Sequence, residues 1–236
     1  MKPENATSTK ADFEQICIAC GLEPPSAELE ALLRKRQRIA IVWDETKNYW
    51  SNFFDDFFVP VQTGHSEIDS TKFSRYIEKV SFNVDGIIHS SCTMLDCLLH
   101  VINKTMFVPP LKDSRVTLET VQKRLGKTTG KEIAESLDAL VTSDEYRYLY
   151  AYDIVSKHRG IVSSNFSLSF EAGVGGTVGS KVNEFVFDSI RYDSIWIEEA
   201  LERYNRYYGK LIDVLEIVFE QLKRERILDS KKEIAE

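Results

Sequence analysis

Residues 70 to 106, STKFSRYIEKVSFNVDGIIHSSCTMLDCLLHVINKTM, decide the fold of this chain. Apolar residues recur in this stretch at intervals of three and four, which is the period of an α-helix with one buried face. Pro109 and Pro110 follow the last apolar turn, and prolines stop a helix because they lack the amide hydrogen. The stretch therefore predicts a long amphipathic helix from Ser70 to Met106 and a mainly α-helical bundle built around it.

The same period extends through most of the remaining sequence. Aromatic residues between Trp43 and Phe58 form a broad buried stripe on a helix that begins near Ser26 and runs towards Val59. Further helices are predicted at 12–21, 114–125, 129–141, 143–158 and from Asp193 or Ser194 towards Ile227.

Two helix starts carry capping signals. Thr129 and Glu132 have the spacing of a capping box, in which each side chain satisfies a free amide of the first turn. Ser143 precedes Asp144 and Glu145, so a hydroxyl cap is followed by acidic residues at the positive end of the helix. Both patterns indicate where helices begin.

After Gly160 the period changes from 3.6 to 2. Apolar and polar residues alternate over 166–170 and again over 183–188, which is typical of half-buried strands. The glycine-rich segment 173–181 lacks the G-x-x-x-x-G-K-[ST] register of a phosphate loop and lies between two strands. We therefore predict a small β-hairpin, with a mobile tip at this segment, inserted before the last long helix.

Length and charge bound the domain organisation and the partners. The 236 residues carry a formal net charge of −7, which disfavours nonspecific clamping of nucleic acid but allows a local basic patch. The basic cluster at 34–38 is more typical of a solvated helical face than of such a patch. An unbroken helical pattern favours one domain over residues 1–236, with frayed ends at 1–10 and 229–236.

The sequence favours a cytoplasmic protein. No apolar run approaches the ~20 residues of a membrane span, and residues 1–10 lack the apolar stretch of a signal peptide. Cys17 and Cys20 form a C-x-x-C motif, but they continue the helix face begun by Phe13 and Ile16, which favours core packing over zinc. We therefore expect reduced cysteines, no cofactor, no metal and no membrane contact.

An unusual polar stripe runs along the helix 70–106. Its members follow one another at steps of 4, 3, 4, 4 and 3, within about 80° of arc, and carry short or titratable groups in place of the usual Lys and Glu. The stripe contains Asp85, His89, Cys92, Asp96, His100 and Asn103. It is either a solvent-facing seam or a buried polar site. In the second case Asp85 with His89 and Asp96 with His100 form Asp–His pairs at i, i+4, a spacing suited to general-base chemistry.

A second cluster, Lys157-His158-Arg159, stands immediately before Gly160 at a predicted helix end. His158 continues the mostly apolar face of the preceding helix, so we expect its imidazole to point inward, whereas Lys157 and Arg159 reach water or an anion. The structural alternative is a helix end whose last carbonyls are satisfied by cations.

The order of elements resembles that of HEPN-like helical-bundle proteins, in particular the phage-defence-associated members. The elements that carry this resemblance are the long helix with its central Asp96, the Lys157-His158-Arg159 corner, the β-excursion and the long terminal helix. The resemblance covers residues 30 to 225. It implies a bundle that brings Asp96 to the corner. HEPN domains include metal-independent ribonucleases and toxins, usually with the site completed across a dimer. Their Arg-x4–6-His motif is absent from this sequence.

On this resemblance, His158 is the general base or acid of a ribonuclease. Lys157 and Arg159 stabilise a phosphate, and Asp96 orients the histidine. The further candidates for substrate contact are Asp85, His89, His100 and Asn103.

Three hypotheses follow. The first is a cytoplasmic, homodimeric HEPN-like protein that binds or cleaves RNA, with a partner protein in a defence system. The second is a noncatalytic interaction bundle whose polar stripe fixes helix packing. The third is a metal-dependent hydrolase that uses Asp85 and His89.

Overall fold

The structure is a computed structural model that describes residues 3–53, 70–127, 130–158, 162, 164–171 and 175–235. The predicted aromatic stripe lies mostly outside the described side chains, which on this helix end at Tyr49; its first member, Trp43, is half-buried. Arg159 and Gly160 also lie outside the described residues.

Seven α-helices occur in these ranges, so the predicted mainly α-helical fold is confirmed. The helix predicted at 70–106 has the expected bounds. In chain order the helices are α1 (Pro3–Ala19), α2 (Ser26–Phe53), α3 (Ser70–Met106), α4 (Leu118–Leu125), α5 (Lys131–Val141), α6 (Asp144–His158) and α7 (Ile197–Ala235). None of these described helices combines the length and apolar character needed to cross a membrane.

A small antiparallel β-insertion precedes α7, as predicted, but its strands differ from the expected pair. The strands are β1 (Ser164–Glu171), β2 (Gly175–Val182), β3 (Phe185–Phe187), β4 (Ile190–Tyr192) and β5 (Ile195–Trp196). They form one three-stranded sheet, ordered β1-β2-β5, and a separate β3-β4 pair.

The partner of β1 is the glycine-rich segment itself, with Ser164 opposite Val182 and Glu171 opposite Gly175. The prediction that 173–181 is a hairpin tip joining 166–170 to 183–188 was therefore wrong for residues 175–181. Ladder hydrogen bonds use only backbone groups, so the glycines of this segment can pair with β1 along its length.

The chain forms two compact units, and each has its own core. The first consists of Met1–Arg36, Thr93–Tyr146 and Arg206–Glu236, and the second of Gln37–Cys92 and Arg147–Asn205. In the first unit Phe13 stacks on Phe219 with ring centroids 5.3 Å apart. Cys17 is fully buried there, which confirms core packing, and burial raises the pKa of its thiol to about 11.

The core of the second unit is centred on aromatic rings. Phe185 stacks on Tyr192 at 4.9 Å and meets Tyr152 edge-on at 5.7 Å. Tyr148 contacts Phe185 edge-on as well, at 5.6 Å. These contacts hold α6 against the β3-β4 pair and fix the α6 face that carries Tyr152.

Several element ends differ from the prediction. Helix α1 begins at Pro3 and α7 ends at Ala235, so both extend beyond the bounds predicted near residues 12 and 227. The N-cap position of α5 is Gly130, and Thr129 of the predicted capping box lies outside the described residues, whereas a capping box forms at Thr117 before α4. The predicted Ser143 cap of α6 is confirmed, since the Tyr146 amide donates to its hydroxyl at 3.3 Å.

Glu145 anchors the first turn of α6 within the first unit. Its carboxylate accepts hydrogen bonds from Lys210 at 2.7 Å and from Arg206 at 3.1 Å, both on α7. The Lys210 hydrogen bond is the main cause that lowers the pKa of Glu145 from 4.5 to about 2. The first turn of α6 is therefore held by a charged contact with α7.

We expect Glu145→Gln to lower the free energy of unfolding by about 1.5 to 3 kcal/mol at pH 7, because hydrogen bonds to a charged group are lost. Because the folded pKa is depressed, this stabilisation is present above 4.5 and is lost as the pH falls towards 2. Chemical denaturation at pH 7 and at lower pH values measures the difference. Glu135→Gln, at an exposed pair with Lys131, is the control; an equal loss in both variants would contradict the assignment.

Candidate functional site

A nearly buried carboxylate, Asp153 of α6, organises a polar cluster in the second unit. Its side chain is 6% exposed. His89 Nδ1 lies 3.0 Å from one carboxylate oxygen, and the Lys157 ammonium donates to the other at 2.6 Å. Because a carboxylate only accepts hydrogen bonds, the proton of the His89 contact belongs to Nδ1.

The imidazole of His89 is held at one end and accessible elsewhere. Its side chain is 54% exposed, although Nδ1 is bound to Asp153. With the proton on Nδ1, the neutral ring has an unprotonated Nε2 that can accept a proton. A carboxylate-bound histidine with an accessible second nitrogen is an arrangement suited to general-base chemistry.

One turn earlier on α3, Asp85 makes the second contact with α6. The Tyr152 hydroxyl donates to Asp85 Oδ1 at 2.5 Å, and Tyr152 is fully buried. Burial raises the pKa of the Asp85 carboxyl, and the hydrogen bond from Tyr152 opposes part of this rise. Asp85 and His89 therefore present two proton-exchanging groups about 6 Å apart along one helix face.

The predicted Asp–His pairs along α3 do not form. Asp85 is bound by Tyr152 and His89 by Asp153, while His100 Nδ1 lies 3.7 Å from Asp113. The reason is that side chains of other elements approach α3 more closely than the neighbours at i+4. The i, i+4 spacing alone was therefore insufficient to identify the partners.

The stripe also changes character along its length. His89 and Asp96 are exposed, whereas Asp85, Cys92 and His100 are half-buried. Asn103 is 1% exposed, and its amide exchanges two hydrogen bonds with the backbone of Leu111, at 2.7 and 3.0 Å. Asn103 thus anchors the segment after α3, and neither of the two proposed descriptions, exposed seam or buried site, applies to the whole stripe.

The two described residues of the Lys157-His158-Arg159 corner, Lys157 and His158, lie in different environments. Lys157 belongs to the cluster through Asp153. His158 is exposed as the last residue of α6, so the prediction that its imidazole points inward was wrong. Five positions from Asp153, it also lies about 140° away around the helix. Asp96 belongs to the first unit and His158 to the second.

The basic cluster at 34–38 has internal partners at several positions. Arg34 pairs with Glu30, Lys35 donates to the Thr93 hydroxyl at 2.7 Å, and the Arg36 guanidinium lies 4.1 Å from the centre of the Tyr208 ring. The expected solvated face is therefore only partly solvated, since Lys35 and Arg36 are half-buried.

Within the part of the chain that the structure describes, no three Cys, His, Asp or Glu side chains converge in a way that could hold a metal ion. Asp85 is bound by Tyr152 and His89 by Asp153, whose carboxylate also accepts from the Lys157 ammonium, and an ammonium is a poor neighbour for a cation. The metal-dependent hypothesis thus gains no ligand set from the described residues.

Comparison with known proteins adds no relative. No protein-family model, curated protein or solved structure matches this chain.

Tyr152 and Asp153 were not predicted as site residues. Their sequence signal is the pair Asp153 and Lys157 at i, i+4, together with a carboxylate in a segment whose neighbours Tyr152 and Val155 are apolar. An acidic residue between core positions requires a partner, and this reasoning would have pointed to α6.

We expect Asp85→Asn to raise the melting temperature at pH 7. A raised carboxyl pKa means that the fold favours the neutral form of Asp85. The stabilisation from this group is therefore complete below the pKa of the unfolded state and is lost as the pH rises through the pKa of the folded state. Asparagine is neutral at every pH and can still accept from Tyr152. The gain should disappear near pH ~3, where aspartate is itself largely protonated.

Thermal unfolding of both proteins at the two pH values measures this difference. Asp96→Asn, at an exposed position of the same helix, should show no gain. A lower melting temperature for Asp85→Asn at pH 7 would mean that the fold favours the charged carboxylate.

Proposed function

We propose that this protein cleaves single-stranded RNA without a metal ion, with His89 as the general base. The observation that carries the proposal is the half-exposed imidazole whose Nδ1 is fixed by a buried carboxylate. General bases with this geometry accelerate reactions by about 10² to 10⁴-fold. The resemblance to HEPN-like proteins supports RNA as the substrate.

In the proposed reaction, Nε2 of His89 takes the proton from a ribose 2′-hydroxyl. The 2′-oxygen forms a bond to the adjacent phosphorus while the bond from phosphorus to the 5′-oxygen breaks. Asp85, in its neutral form, donates its proton to the departing 5′-oxygen. The products are a 2′,3′-cyclic phosphate and a 5′-hydroxyl, and the enzyme regains its starting state when His89 returns its proton and Asp85 recovers one through solvent.

The positive groups have supporting roles. Lys157 neutralises Asp153, so His89 is held by a carboxylate that is itself ion-paired. His158 is exposed about 140° around α6 from Asp153, so the proposal gives it no part in the proton transfer. Arg159, expected to stabilise a phosphate, keeps that proposed role on the basis of the resemblance alone.

The same resemblance supports a proposal about the setting. We place the protein in the cytoplasm, as a homodimer and as a component of a phage-defence system that includes a partner protein. The net charge of −7 favours local binding of one strand over broad coating of nucleic acid.

A noncatalytic interaction bundle is the second candidate. The Lys157–Asp153 ion pair favours it. A buried carboxylate that accepts hydrogen bonds from both a lysine and a histidine has its hydrogen-bonding capacity filled, and it can serve purely as a structural contact between helices. In that case His89 only fixes the packing of α3 against α6.

Incubation of the full chain with end-labelled single-stranded RNA in EDTA tests the proposal. We expect cleavage that leaves a 2′,3′-cyclic phosphate and that stops when the 2′-hydroxyl at the cut is replaced by hydrogen. His89→Asn should reduce the rate at least about 100-fold, because asparagine can still donate to Asp153 but has no basic nitrogen.

His100→Asn is the matched control, since His100 lies on the same helix and also contacts an aspartate. It should retain the wild-type rate, because His100 contacts Asp113 in the first unit and the substrate contact expected of it from the sequence is not part of this proposal. Wild-type protein that leaves RNA intact would remove the proposal and favour the interaction bundle, whereas equal activity in His89→Asn would exclude His89 as the base.

A further inference from the structure

An open cleft of about 680 Å³ in the second unit is lined in part by Asp85, the proposed acid. Its wall is formed mainly by the N-terminal half of α3, and Asp85 lies at one side of it. The face of α3 that carries Asp85 and His89 therefore extends into the cleft, in the direction of the N-terminus of the helix.

The exposed aromatic ring of Phe82 lines this cleft. Phe82 is 76% exposed, although large apolar side chains are usually buried. It precedes Asp85 by three residues and His89 by seven, so the three side chains lie within about 60° of arc. Phe82 and His89 are about 10 Å apart along the axis, a span of about three stacked nucleotides at ~3.4 Å each.

Two exposed cations continue the same face. Arg75 and Lys79 both line the cleft, and they lie two turns and one turn before Phe82, respectively. The Lys79 ammonium is placed by the ring of Tyr49, 3.8 Å from its centre. In order along α3, the face presents cations, an aromatic ring, and then the proton-exchanging groups.

We infer that this face is a track for single-stranded RNA, in which Phe82 stacks on an unpaired nucleobase and Arg75 and Lys79 contact phosphates. The inference rests on the proposed function and names its substrate-binding surface. Every nucleobase has a flat π-face, so such a platform holds an unpaired base of any identity and excludes a base that is paired in a duplex.

Charge makes the smaller contribution to this track. Glu78 lines the same cleft and offsets one of the two cations. A strand that contacts one or two phosphates loses affinity with salt at a logarithmic slope of about −0.7 for each contact. Binding should therefore depend strongly on the ring of Phe82 and only weakly on ionic strength.

The test measures binding of a short oligouridine RNA that carries one 2-aminopurine, whose fluorescence is quenched when the base stacks. The host protein is the full chain with His89→Asn, which prevents cleavage. Phe82→Leu keeps an apolar side chain of similar reach but has no flat ring, and should weaken binding about 5- to 150-fold and abolish the quench. Phe82→Trp should retain both, and an exposed position makes either variant a mild change for the fold.

In the cleaving protein, Phe82→Leu should raise KM and leave kcat unchanged. Equal binding and quenching in Phe82→Leu would overturn the inference while leaving the cleavage proposal intact. Phe82-dependent quenching in a protein that never cleaves RNA would uphold the track and remove the cleavage proposal. Absence of RNA binding, or an equal loss of affinity for duplex RNA, would also overturn the inference.

Discussion

The cluster in the second unit depends on the cost of burying the Asp153 carboxylate. A carboxylate that is 6% exposed has lost most of its water and must be compensated by hydrogen bonds and opposite charge. Lys157 supplies the charge from the same helix, and His89 supplies a hydrogen bond from α3. Because the groups that compensate this carboxylate come from both α6 and α3, the carboxylate fixes the spacing of the two helices and also the orientation of the His89 imidazole.

The adjacent contact strengthens this arrangement. Tyr152 precedes Asp153 and binds Asp85, one turn before His89 on α3. Two neighbouring residues of α6 thus each bind a residue of α3, and α3 can neither rotate nor shift by one residue without breaking both bonds. This register explains why Asp85 and His89 face the same direction with their outer atoms accessible, while Tyr152 is buried among aromatic rings.

The sequence predicted what depends on local periodicity. The bounds of α3 follow from its apolar repeat and its prolines, and the start of α6 follows from Ser143, since both signals act within a few residues. The partners of Asp85 and His89 could not be derived in this way, because spacing on one helix does not reveal which residues a second helix presents. The strand β2 was missed for a related reason: glycine has low strand propensity, but pairing with β1 outweighs that preference.

The choice between histidines shows how burial changes the interpretation of a motif. Lys157-His158-Arg159 attracted attention as a compact charged cluster at a helix end, where cations are stabilised by the helix dipole. Charge at an exposed helix end has low cost and needs no function, and His158 is exposed there. His89 has no conspicuous neighbours in the sequence, yet its ring is bound to a carboxylate that the fold has buried at considerable cost. Apolar packing could stabilise such a contact between helices equally well, and it is this excess of polarity at a partly exposed imidazole that motivates the chemistry proposed for His89.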